Sequence, residues 1–96
     1  MSYDHKPNLK KAFADSGDVR FLEMLIKRYK YSVDDANEVI NFYEPDKKGK
    51  IPEVEHIFFI LNHFPDAEIS HKTMKAIEKS FPTMAEYIYR LKIKIT

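Results

Sequence analysis

The chain has 96 residues, 16 Lys and Arg against 15 Asp and Glu, no Cys, no Trp and only two Gly, with 44% hydrophobic residues. That length supports one small domain with a core that needs neither disulfides nor metal, and the absence of Cys removes thiolate chemistry. Two glycines cannot build a Gly-rich phosphate loop, no apolar run reaches the roughly 18 residues of a membrane span, and no apolar stretch follows Asp4, His5 and Lys6 as in a signal peptide, so a cytoplasmic protein with no membrane role is expected.

Residues 1–8 read as a loose arm, leading through Pro7 and Asn8 into a helical turn around Leu9–Ala14. Val19, Leu22, Leu25, Ile26 and Tyr29 then recur at helical spacing behind Asp18, a capping residue, which predicts an amphipathic helix over about 18–30. Ser32 and Asp35 approximate a capping box opening a second helix striped by Val33, Ala36, Ile40 and Tyr43. Glu44-Pro45-Asp46-Lys47-Lys48-Gly49 is turn chemistry. Pro52 suits the first turn of a third helix, with Val54, Ile57, Phe58, Leu61 and Phe64 on one face and Pro65 as its stop; its centre, Ile57 to Leu61, is apolar all round. Ser70 caps a fourth helix through Met74, Ile77 and Phe81, which Pro82 ends. Thr83 and Glu86 suggest a capping box for a last helix through Met84, Ile88, Leu91 and Ile95.

That last segment has a second reading, because Tyr89, Leu91, Ile93 and Ile95 alternate with Arg90, Lys92 and Lys94 as a strand would. No other segment alternates as well, which favours helix; a strand here would invite dimerisation by edge pairing. The expectation is therefore one all-α domain over residues 1–96, a compact bundle of about five short helices, existing as monomer or homodimer.

The near-neutral total conceals segmentation. Residues 1–31 carry seven basic and four acidic groups, residues 32–70 three and nine, residues 71–96 six and two. A total of +1 argues against a dedicated nucleic-acid binder, whose phosphate contacts require a basic excess. Helices 18–30 and 33–43 could form a helix-turn-helix, but Asp34, Asp35 and Glu38 open the second and would repel phosphates. The 44–55 stretch looks like a decayed EF-hand with Gly49 at the sixth position, yet Lys48 occupies a ligand position and excludes calcium. Glu53 and His56 form a lone Glu-x-x-His where di-iron bundles need two. His56 and His63, two turns apart, cannot share a metal and read as partner-facing or solvent-facing, and no metal or cofactor is expected. Five serines without a nucleophile-elbow context and scattered carboxylates offer no catalytic constellation, so the expected class is recognition, not catalysis.

Asp15-Ser16-Gly17-Asp18-Val19, Leu25-Ile26-Lys27-Arg28-Tyr29, Asp35-Ala36 and Gly49-Lys50-Ile51-Pro52-Glu53-Val54 follow in an order that resembles the C-terminal region of the clamp-loader small subunit of T-even-type phages, over about 40 residues. The resemblance implies a helical, non-catalytic subunit that lacks its own ATP site and holds ATPase subunits together during clamp loading. Nothing here corresponds to that family's larger N-terminal portion, which leaves a scaffold or adaptor role. The same helical pattern is similar to small phage transcription co-activators and anti-sigma proteins, which occupy a host polymerase surface. Aromatic and Met side chains off the main stripes nominate Phe21, Met24, Val39, Phe42, Phe59 and Ile60, with Tyr87, Tyr89 and Arg90 near the basic end, as a surface for a protein partner of the replication or transcription machinery, host or phage. The alternative is a small nucleic-acid-binding domain using Lys10, Lys11, Arg20, Lys27, Arg28, Lys92 and Lys94.

Overall fold

The computed structural model describes residues 6–96; His5 and the rest of residues 1–5 lie outside the described residues. Among the described residues the fold is an all-α bundle of six helices: α1 (Leu9–Asp15), α2 (Val19–Arg28), α3 (Val33–Phe42), α4 (Val54–His63), α5 (His71–Ser80) and α6 (Pro82–Arg90). Two short strands, β1 (Glu68–Ile69) and β2 (Lys94–Ile95), pair in parallel with Glu68 opposite Lys94 and Ile69 opposite Ile95. None of these helices is long and apolar enough to cross a membrane.

Local chemistry sets most boundaries. The Asn8, Asp18, Ser32 and Ser70 side chains accept from backbone N–H groups of Lys11, Arg20, Asp35 and Thr73, meeting donors that a helix start leaves open. At α3 the box is complete, because Asp35 Oδ2 also accepts from Ser32 N at 2.9 Å. The Ser32 N–H bond is the main reason the Asp35 carboxyl titrates below its ordinary value, against opposition from burial and with help from Lys6. Residues 6–8 of the expected arm are tied to the body: Tyr31 Oη donates to the Pro7 carbonyl at 2.9 Å and Lys6 Nζ lies 3.6 Å from Asp35.

Two prolines act differently from the expectation. Pro52 precedes α4, whose first residue is Val54, and Pro82 opens α6 instead of merely ending α5, so Thr83 lies inside the helix and no side chain caps it. The C-terminal segment is both readings in succession, helix to Arg90 and then, after a turn with Lys92 at φ 58°, a strand. Its partner is internal. Glu68–Ile69 is too short to alternate, so the edge-pairing dimer does not follow from the strand.

The core lies where α3 and α4 meet, closed by α1 on one side and by α5, α6 and the strand pair on the other. Leu9, Phe13, Leu22, Val39, Ile40, Ile57, Ile60, Leu61, Ile69, Met74, Ile77 and Ile88 are sealed in it. The all-round apolar centre of α4 is thereby explained: Ile57, Ile60 and Leu61 are wholly buried, and Phe58 and Phe59 half-buried. The body is elongated, 48 × 25 × 22 Å, with α2 outside the tightest helix pairings.

Candidate interaction face on the second helix

Helix α2 buries Leu22 and Leu25 and half-buries Ile26, three residues on one side of a ten-residue helix. Each full burial is worth roughly 1.5–3 kcal/mol, enough to hold the helix against the body. The other side follows from the 3.6-residue period: Arg20, Met24 and Arg28 stand one turn apart, with Lys27 beside them and Phe21 at the border. Met24 is 49% and Phe21 40% exposed. Arg20, Glu23, Met24, Lys27 and Arg28 together form an open, shallow surface on this side of the helix. A groove of about 360 Å³, lined chiefly by Pro7, Lys11, Ala12, Asp15 and Phe21, lies between α1 and the start of α2.

The electrostatics of this face are cationic with one internal neutralisation. Lys27 Nζ lies 2.8 Å from Glu23 and holds that carboxyl below its ordinary value, first through the hydrogen bond and then through its charge. Arg28 sits over the Tyr29 ring at 5.6 Å, a cation–π contact. Arg20, Arg28 and Lys11 form no ion pair among the described residues. Met24 for protein and Arg20, Lys27 and Arg28 for nucleic acid therefore share one surface, and Phe21 and Lys11, one from each set, meet in the groove beside it.

The remaining candidates do not join it. Val39 and Ile60 are 0% exposed and belong to the core, so they cannot be surface contacts: α1 and α4 pack on α3, and α3 and α6 pack on α4. Phe59 is half-buried, its ring 6.0 Å from that of Phe13 and 4.6 Å from that of His63. Tyr87 packs its ring, tilted, against Phe58 with centroids 4.9 Å apart and links α6 to α4. Tyr89 Oη donates to Glu78, which raises the phenol above its ordinary value, and Arg90 pairs with Glu86 at 3.1 Å. Phe42 is 49% exposed at the end of α3, its ring edge-on to Tyr43. Among the basic candidates, Lys10 pairs with Glu38 at 3.8 Å and Lys94 with Glu68 at 3.2 Å, and Lys92 forms the turn before β2.

Two features escaped sequence reasoning. His56, expected to face a partner or solvent, is 7% exposed: its Nδ1 lies 3.0 Å from Tyr43 Oη, which donates to the Phe13 carbonyl at 3.2 Å. With the hydroxyl proton committed to Phe13, Nδ1 carries the proton it gives to Tyr43. Tyr43 is also buried, and burial, assisted by Glu53, pushes its phenol above the ordinary value. Helical spacing flagged both residues as inward or outward but could not show that they touch. In the 44–55 loop, Asp46 Oδ1 already accepts from the N–H groups of Lys48 and Lys50 at 2.8 and 2.9 Å, and Gly49 takes φ +81°; the loop is a closed Asx-type turn. Among the described residues no cluster of three metal-ligating side chains forms.

Compared with known proteins, the chain matches no protein-family model, no curated protein and no solved structure.

Proposed function

We propose that this chain is a non-catalytic protein-interaction module acting in the cytoplasm as a phage-encoded accessory factor of the replication or transcription machinery, the role implied by its likeness to the clamp-loader small subunit. The observation that carries the interaction reading is the outer stripe of α2, where Met24 and Phe21 are exposed between Arg20, Lys27 and Arg28. Large apolar side chains flanked by cations combine contact area with orientation, the pattern of an anchor residue inside a charged rim. An inhibitor acting on a host protein would use the same stripe.

The test is a photo-reactive residue placed at Met24, with an equivalent probe at the exposed Lys75 of α5 as control, in cells making the protein. A discrete cross-linked protein at position 24, absent at 75 and diminished by Phe21→Ser, is expected. Equal labelling at both positions, or none at 24, counts against the reading. The gathering of Arg20, Lys27 and Arg28 on this face, with Lys11 beside it, keeps nucleic acid as the second reading. A phosphate-driven complex loses affinity steeply between low and physiological salt, whereas an apolar contact changes little.

A further inference from the structure

The α2 stripe has a counterpart on the same molecule. On α3, Asp34, Glu38 and Phe42 stand one turn apart and face outward, and Glu44 is exposed just beyond the helix end. Each stripe is about 12 Å long by helical rise. Each also carries one large apolar side chain exposed to the same 49%, Met24 on α2 and Phe42 on α3. The charges are opposite: Arg20 and Arg28 on one, where Lys27 is already paired with Glu23, and Asp34, Glu38 and Glu44 on the other. Laying the two stripes antiparallel with Met24 on the Phe42 ring steps Arg28 onto Glu38 and carries Arg20 toward Glu44, since both helices advance one turn every four residues. This direction also opposes the helix dipoles favourably.

We propose that the occupant of the α2 stripe is the α3 stripe of a second copy of this chain. The proposal rests on reading α2 as a protein-binding face and names the partner. Within one molecule the two stripes cannot meet, because both helices turn these sides to solvent. Little has to be broken for copies to pair: among the described residues Glu38 is held only by a 3.8 Å contact to Lys10 between side chains that are half exposed, a kind of pair worth little in water, and Arg28 by its contact with the Tyr29 ring. A net charge of +1 sets no general repulsion between copies. Because the two stripes differ, the contact either closes into a pair when made twice about a two-fold axis or repeats head to tail.

Sedimentation equilibrium of the full chain from about 10 μM to about 1 mM, a span covering weak interfaces, reads the result directly. Mass above the monomer at low salt, falling as salt is added, is expected. Arg20→Glu/Arg28→Glu and Glu38→Lys/Glu44→Lys should each weaken self-association at least about tenfold, a change of about 1.4 kcal/mol. An equimolar mixture of the two variants should restore it, because each now supplies the stripe that fits the other. Lys75→Glu/Lys79→Glu makes the same net charge change as Arg20→Glu/Arg28→Glu, on α5, and should not weaken assembly.

A far-UV circular dichroism melt of each variant establishes that it is folded, and restoration in the mixture requires two folded partners. A monomer throughout the concentration range overturns the proposal, as does assembly that both reversals leave untouched, or assembly that the α5 variant weakens as much as they do. Those failures leave the α2 reading itself to the cross-linking experiment, whose captured protein would then be a different chain.

Discussion

The hydroxyl of Tyr43 stands where three helices meet, donating to a carbonyl at the heart of α1 and accepting from His56 of α4. Tyr43→Phe keeps the ring and its edge contacts but leaves the Phe13 carbonyl and the imidazole N–H without their partner in a buried site. We expect a loss of about 1–3 kcal/mol in urea unfolding, the cost of unpaired buried polar groups. Burial holds the Tyr43 phenol above its unfolded value, so its contribution is complete below about pH 10, the ordinary tyrosine range, and is lost as pH rises through the folded value. The wild type should therefore lose stability in alkali more steeply than Tyr43→Phe, which chemical denaturation at pH 9 and pH 11 compares.

Asp35 works in the opposite sense. Its folded value is depressed, chiefly by the Ser32 N–H, so its stabilisation is present above about pH 4 and disappears as pH falls through the folded value. Asp35→Ala should cost about 1 kcal/mol at neutral pH, typical of a lost cap, and leave acid unfolding shallower than in the wild type. Both outcomes are read from unfolding midpoints at pH 7 and pH 3.

Among the elements, α2 and β2 make contrasting demands on stability. Met24→Ser on the outer stripe of α2 should change stability by less than about 0.5 kcal/mol, as exposed substitutions do, while weakening any complex that uses the face. Ile93, by contrast, is 6% exposed and leads into β2, where Thr96 N donates to Ile69 O at 2.9 Å. Ile93→Ala should cost about 2–5 kcal/mol by leaving a cavity beside the strand pair, measured by thermal unfolding.

The helices were legible because polar caps and apolar periods agree: Asp18, Ser32 and Ser70 start α2, α3 and α5 where the spacing of Leu22, Ile40 and Ile77 requires. What periodicity could not supply was the number of neighbours around each helix. Val39 lies off the main stripe of α3, yet two helices cover α3 and close over it. Strand β1, two residues long, gives no alternation to read. Its existence depends on β2 arriving from 25 residues downstream. Of the candidate site, the exposure of Phe21 and Met24 followed from the helical wheel, whereas the company of Phe21 with Lys11 depended on how α1 folds over.

For the molecule as a whole, α2 stands apart from a well-packed body, since it takes no part in the tightest helix pairings. α2 is anchored by two buried side chains while α4 buries five, so hydrogen exchange should show α2 amides opening at lower free energy than those of Ile57 to Leu61. Mass-spectrometric exchange on the intact chain checks this ordering, and equal protection in both helices would contradict it. A loosely moored element is well suited to adjust to what it meets, since reorienting it disturbs little of the core.

The strand pair ends with unlike borders. On the β1 side, Asn37 Oδ1 takes the Glu68 N–H at 2.8 Å, so a side chain from α3 occupies the place another strand would need. On the β2 side, Lys92 and Lys94 flank the margin with charges that a dry β contact would have to desolvate. This ribbon is consequently a poor template for stacking further chains, and ordered fibres seeded from it should be suppressed until those ammonium groups are neutralised.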